Sequence, residues 1–209
     1  MARRKLSIAL EPIVAGVGQS YDDELAVLVL DAAADHLRRH GLARWSIDDI
    51  AEAAGVGRTS VYRWFGSRDD LVHAVLAREL RTTLLAVGAA TAGMTTFEDK
   101  AVEAALVCFE ALGGSVVDHL LRIDPGAVLP LLTTGAAPLI ALARTALTPP
   151  LLAAGVATEP AQAAIVAESL ARLGLSFVLT RDTVVPVRDH AALRAAIDSL
   201  LRPLLRPIS

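Results

Sequence analysis

An all-α fold is what the sequence predicts, built from about nine helices. Three observations carry the prediction. Alanine and leucine dominate a chain that is 54% apolar, and both are strong helix formers. Alternation of apolar and polar residues with period two is scarce. Helix punctuation recurs along the chain, with Ser or Asp before an acidic first turn and Gly or Pro at the far end. At 209 residues the chain can bury a sizeable core, as one large domain or two small ones.

Ser20 and Asp23 have capping-box spacing, and Asp22, Asp23 and Glu24 suit the positive end of a helix dipole. Leu25, Leu28, Ala32 and Leu37 give this helix a core face. Arg38, Arg39, His40 and Gly41 stop it, so it spans about 22 to 40. Ser46, three residues before Asp49, opens a short helix of about 46 to 53 whose apolar face is Ile47, Ile50, Ala51 and Ala54. Gly55 allows the positive φ of a tight turn, and a third helix follows over about 58 to 65. Gly66 stops it, and Ser67 with Asp70 caps a long helix through about 90. Beyond the loop at Ala92 to Thr96, helices are expected from Phe97 to about Leu112 and from Val116 to about Arg122. Three more follow: Pro125 to about Leu147, closed by Thr148-Pro149-Pro150; Pro160 to about Arg181; and about Arg188 to about Arg202, ended or kinked by Pro203.

Composition narrows the function. The single cysteine, Cys108, forbids an intramolecular disulfide and favours a cytoplasmic protein; its apolar helical setting predicts an inert thiol. The start M-A-R-R-K and the apolar run after it resemble a signal peptide, but Glu11 and Pro12 interrupt that run, and a basic arm is expected instead. Pro125 to Ala143 is uncharged and long enough to span a membrane, but its three prolines and two glycines point to a broken, buried helix. No phosphate loop, G-x-S-x-G or H-E-x-x-H occurs, so no enzyme and no cofactor is expected. His119 has no second His or Cys at ligand spacing, so no metal site is expected, and its neighbour Asp118 suggests a surface pair.

The window A-G-V-G-R-T-S-V-Y-R-W-F-G-S-R carries three arginines and no acid, in a chain of net charge −3. Short helix, glycine turn, short helix is the helix-turn-helix pattern, whose second helix enters the major groove of DNA. Val61 and Phe65 lie four apart and would face inward, leaving Tyr62 and Arg63 outward. Arg58 is the expected base reader, because a guanidinium pairs with guanine through two hydrogen bonds. Thr59 and Ser60 suit a thymine methyl or a phosphate, and Tyr62 a phosphate. Arg68 and Ser46, each beside a helix N-terminus, add backbone contacts. Local positive potential, more than net charge, decides binding to a polyanion.

Ala54 to Leu71, with A-G-V, then Y-x-x-F, then G-S-R-D-D-L in one register, is similar to the helix-turn-helix signature of the TetR/AcrR family of bacterial transcriptional regulators. Gly57, Thr59 and Trp64 depart from residues frequent in that family. The resemblance implies a homodimer that represses promoters at a palindromic operator, acts at the nucleoid and releases DNA on binding a small ligand. It divides the chain into a flexible basic arm (1–20, with Arg3, Arg4 and Lys5), a DNA-binding domain (21–68) and a helical ligand-binding and dimerisation domain (69–209). Two apolar stripes, Val166, Leu170, Leu173 and Phe177, and Leu193, Ile197, Leu200 and Leu204, suit either a dimeric four-helix bundle or the core, and the resemblance favours the dimer. The sparse charge between about 97 and 180 suits a lipophilic effector, with Cys108, Phe109, His119, Thr133, Arg144 and Phe177 as candidate pocket residues. The rival readings are an effector-independent architectural DNA-binding protein and a helical carrier or enzyme for lipophilic molecules.

Overall fold

The computed structural model of the chain describes residues 8–180, 183–186 and 189–206. Arg3, Arg4 and Lys5 of the expected arm, and the expected helix ends at Arg181 and Arg188, lie outside the described residues. Among those residues eleven α-helices form and no strand. They are α1 (Leu10–Ala15), α2 (Glu24–His40), α3 (Ile47–Ala53), α4 (Arg58–Phe65), α5 (Arg68–Thr91), α6 (Phe97–Leu112), α7 (Val116–Ile123), α8 (Pro125–Leu132), α9 (Ala137–Ala153), α10 (Pro160–Leu179) and α11 (His190–Leu204). The chain packs as two units, Met1–Thr82 with Gly114–Ala136, and Thr83–Gly113 with Ala137–Ser209. This division falls inside α5, and it places α7 and α8 with the N-terminal helices, where the sequence suggested a boundary near residue 68.

In the first unit α2 is the central helix. Its buried residues are Ala26, Val29, Leu30, Ala33, Ala34 and Leu37, a run of threes and fours that makes one continuous stripe. The expected face is corrected by one position: Leu25 and Leu28 are 47% and 49% exposed. The segment L-A-V-L-V-L is apolar all round, so periodicity could not fix its phase. The cap is corrected too, since Asp23 rather than Ser20 accepts the Leu25 N–H, at 2.9 Å.

Residues 10–18, expected within a flexible arm, are helical: α1 and a 3-10 turn at Gly16–Gly18 lie against α5. Leu10 and Ile13 are buried, the Ala9 N–H donates to His73 Nε2 at 3.3 Å, and Arg81 donates to the Gln19 carbonyl at 2.8 Å. The approach is close at Gly16, where a Cβ would come within 3.1 Å of the Ala77 methyl.

Glu79 of α5 ties α7 to α2. Both its oxygens accept the Val116 N–H at 3.0 Å, and one accepts from Arg38 at 2.9 Å. An acid at a helix N-terminus satisfies an orphan donor and favours the dipole. Asp118 is buried rather than on the surface, where its carboxylate accepts from Arg122 and from the Gly114 N–H, while His119 bonds the Ser115 carbonyl.

The second unit pairs α9 with α10 and α6 with α11. Val102, Leu106, Leu151, Ala163, Ala167, Leu193, Ile197, Leu201 and Leu205 form its core. The single helix expected from Pro125 to Leu147 is instead two helices, broken over 133–136, where the Gly135 N–H turns back to the Pro130 carbonyl at 2.8 Å. The later one, α9, continues past Pro149 and Pro150, its last turn anchored by the fully buried Leu151. By length and composition α10 could cross a membrane, yet it carries Glu168 and Arg172 and packs Ala163 and Ala167 into this core.

Candidate nucleic-acid interface

Residues 46–65 fold locally for readable reasons. The Ser46 hydroxyl accepts the Asp49 N–H at 3.3 Å and caps α3. Gly55 takes φ +67°, which a residue with a side chain rarely adopts, and the Val56 N–H closes the turn on the Ala51 carbonyl at 3.0 Å. Gly57 then caps α4 in extended conformation, with no side chain involved. Val61 and Phe65 are 1% and 6% exposed and pin α4 to the core, and the Tyr21 ring lies 5.3 Å from that of Phe65.

Fixing Val61 and Phe65 inward turns the rest of α4 outward. Arg58, Thr59 and Arg63 are exposed; Ser60 and Tyr62 are half-buried. Arg63 lies over the Trp64 ring at 5.2 Å, and the Trp64 indole N–H donates to Asp23 at 3.0 Å. Arg58 Nη1 donates to both oxygens of Asp48, at 3.0 and 3.2 Å, while its Nη2 reaches the Tyr62 hydroxyl at 3.4 Å. The guanidinium also sits 5.5 Å from the centre of the Tyr62 ring. The Tyr62 hydroxyl, then the Asp48 carboxylate, hold Arg58 above the usual arginine range. The window without acids in sequence therefore has an acid in space, supplied by α3.

Arg68, expected to add a phosphate contact, is half-buried and bonded within the chain. Its Nη2 donates to the Trp45 carbonyl at 2.7 Å, and the Trp45 indole N–H donates back to the Arg68 carbonyl at 3.3 Å. This reciprocal clasp joins the start of α5 to the residue preceding the Ser46 cap. The sequence reading missed both Trp45, which is buried, and Asp48. A signal for Trp45 existed, because an apolar residue just before an N-cap commonly packs as a hydrophobic staple. Nothing local announces the pairing of Asp48 with Arg58.

The six candidate pocket residues fall in both units. His119 and Thr133 belong to the first unit, and their side chains donate to the Ser115 and Leu129 carbonyls at 2.9 and 2.7 Å. Cys108, Phe109, Arg144 and Phe177 belong to the second. There Phe109 and Phe177 meet edge to face at 5.3 Å, Cys108 is exposed, and Arg144 pairs with Glu168 at 3.2 Å. A surface depression of about 300 Å³ is lined by Arg144, Ile165, Glu168 and Arg172. The two stripes expected at a dimer face are also divided. Leu193 and Ile197 are core, at 3% and 4% exposure, whereas Leu200 and Leu204 are 38% and 50% exposed. Val166 and Leu170 are half-buried against the core.

Residues 29–75 match the family model described as "Bacterial regulatory proteins, tetR family", and residues 86–203 match that for "Bacterial Tetracyclin repressor, C-terminal domain". The HTH-type transcriptional regulator AlkX of Mycobacterium tuberculosis is 30% identical over 165 residues, 78% of this chain and 76% of that protein. An HTH-type transcriptional repressor of the same organism is 44% identical over 54 residues, 26% of this chain and 29% of its own. Among solved structures, the TetR family repressor AlkX from a Dietzia strain aligns with a TM-score of 0.58 at 24% identity, over 85% of this chain and 96% of that one. A TetR-like regulator from Rhodococcus aligns with a TM-score of 0.56 at 20% identity, over 89% of this chain and 98% of that one. These two support the fold. The relatives are regulators and not enzymes, and with both halves matched the chain belongs to the TetR family of DNA-binding transcriptional regulators.

Proposed function

We propose that the chain is a homodimeric repressor, acting in the cytoplasm at the nucleoid, that binds a palindromic operator and leaves it when a small lipophilic ligand binds. The observation that carries the reading is α4: two buried anchors, Val61 and Phe65, with Arg58, Thr59 and Arg63 on the open side. Such a helix suits the major groove, with Arg58 at a guanine and Thr59, Ser60 and Tyr62 at neighbouring groups. Twofold symmetry of the protein calls for twofold symmetry of the site. The effector class is supported by the apolar second unit, with Phe109 against Phe177, and by the Dietzia relative, whose structure is described as implicated in biodegradation of n-alkanes. Release follows if the ligand prefers a conformation whose paired α4 helices no longer match adjacent grooves.

Selection from a genomic fragment library at two salt concentrations tests this. Recovery of one palindromic motif, with affinity falling steeply as salt rises, is the expected result. Absence of enrichment, or binding indifferent to salt, would sink the reading.

A further inference from the structure

Asp48 and Arg58 form a pair that stability does not require. Their side chains are 67% and 58% exposed, and exposed ion pairs contribute little to folding. The pair nonetheless occupies the residue best placed to read a base. Both Asp48 oxygens take Nη1, and Tyr62 takes Nη2. In this closed arrangement the Asp48–Arg58 pair presents no net charge to a polyanion, so it would displace no counterion.

We propose that Asp48 is a specificity-determining residue that holds Arg58 back from phosphates and yields it only to the paired acceptors of a guanine edge. The inference rests on reading α4 as the groove helix. A phosphate oxygen offers Arg58 little that the Asp48 carboxylate does not, and taking it would leave Asp48 uncompensated in the field of the DNA. Guanine O6 and N7 present two acceptors to the guanidinium fork at one fixed place in the groove, without adding the negative charge that a phosphate sets beside Asp48, which repays the loss. Asp48 thus penalises non-cognate binding more than cognate binding, and discrimination is a difference of the two.

The test is the variant Asp48→Asn, which keeps the shape of the side chain, measured on a random-sequence duplex and on the duplex recovered by selection, with thermal melting to confirm folding. Affinity for the random duplex should tighten about two- to fivefold, and its salt slope should steepen by about one phosphate equivalent. The selected duplex should gain less, so the specificity ratio contracts. In the Arg58→Ala background the same substitution should give no gain, because the effect passes through Arg58. A gain that persists in that background would show plain repulsion of DNA by Asp48 and overturn the proposal. So would unchanged affinity for both duplexes, or weaker binding to the selected duplex alone, which would make Asp48 an orienting partner. The wild-type protein reports separately on the groove reading: without preference for the selected duplex, that reading falls and the inference with it.

Discussion

Arg68 ties the start of α5 to the residue before the Ser46 cap, beside the candidate interface. Its guanidinium and the Trp45 indole exchange hydrogen bonds with each other's backbone carbonyl, and Trp45 is 1% exposed. Arg68→Ala removes one bond of the clasp and leaves the Trp45 carbonyl to find another donor, a loss of about 1 kcal/mol. The expected outcome is a lower melting temperature, with weaker binding to all duplexes and an unchanged order of preference among them. Full stability with a reduced salt slope would instead place Arg68 at a phosphate. The residue scale also marks what the sequence could reveal. Arg63 was legible as outward because Val61 and Phe65, four apart, fixed the phase of an eight-residue helix, whereas Tyr62, read as outward with it, is half-buried. The partner of Arg58 was not legible, because Asp48 lies ten residues away on a different helix, and its approach depends on the angle between the two.

Element boundaries were readable wherever a terminus carries its own chemistry. Ser46 and Ser67 cap α3 and α5 through hydroxyls, and Gly41 and Gly66 end α2 and α4 with positive φ. The facing of α2 and the existence of α1 were not readable, for the same reason: where Leu, Ala and Val surround a helix, its inward side is chosen by its neighbours. For α1 the neighbour is α5, and the latch is His73. Its Nε2 accepts the Ala9 N–H, so the ring is neutral there, and Nδ1 lies 4.0 Å from Asp70 Oδ1. Burial holds the imidazole below its ordinary value, against an upward pull from Asp70 and Asp69. A histidine whose folded value is depressed binds more protons unfolded than folded, so stability rises with pH between the two values. The contribution is complete above the ordinary value of 6.5 and is lost as pH falls through that window. Denaturant unfolding at about pH 7.5 and about pH 5.5 should show a larger loss in the wild-type protein than in His73→Gln, whose amide oxygen can still accept from Ala9. Equal losses would remove His73 as the latch.

At the scale of the whole molecule, two units with separate cores have to support the proposed dimer. The choice the sequence left open, dimer face or core, is answered as core for only part of one helix. Leu193 and Ile197 of α11 pack on α6, while Leu200 and Leu204 remain open on the same helix. Stripe spacing cannot separate them, because a leucine repeat serves an intramolecular partner as well as an intermolecular one. Their energetics should separate cleanly. Leu193→Ala deletes buried methyl groups and leaves a cavity, which costs about 2–5 kcal/mol and lowers the melting temperature. Leu204→Glu alters an exposed position, where substitutions stay within about 0.5 kcal/mol of unit stability. If the open end of α11 is part of the dimer surface, the same change buries a charge against the second copy, and sedimentation should shift from dimer to monomer with helicity intact. Operator affinity should fall with it, since one groove helix alone cannot span both half-sites. A Leu204→Glu protein that remains dimeric would move the dimer face off the end of α11 and leave the half-buried stripe of Val166, Leu170, Leu173 and Phe177 on α10 to carry it.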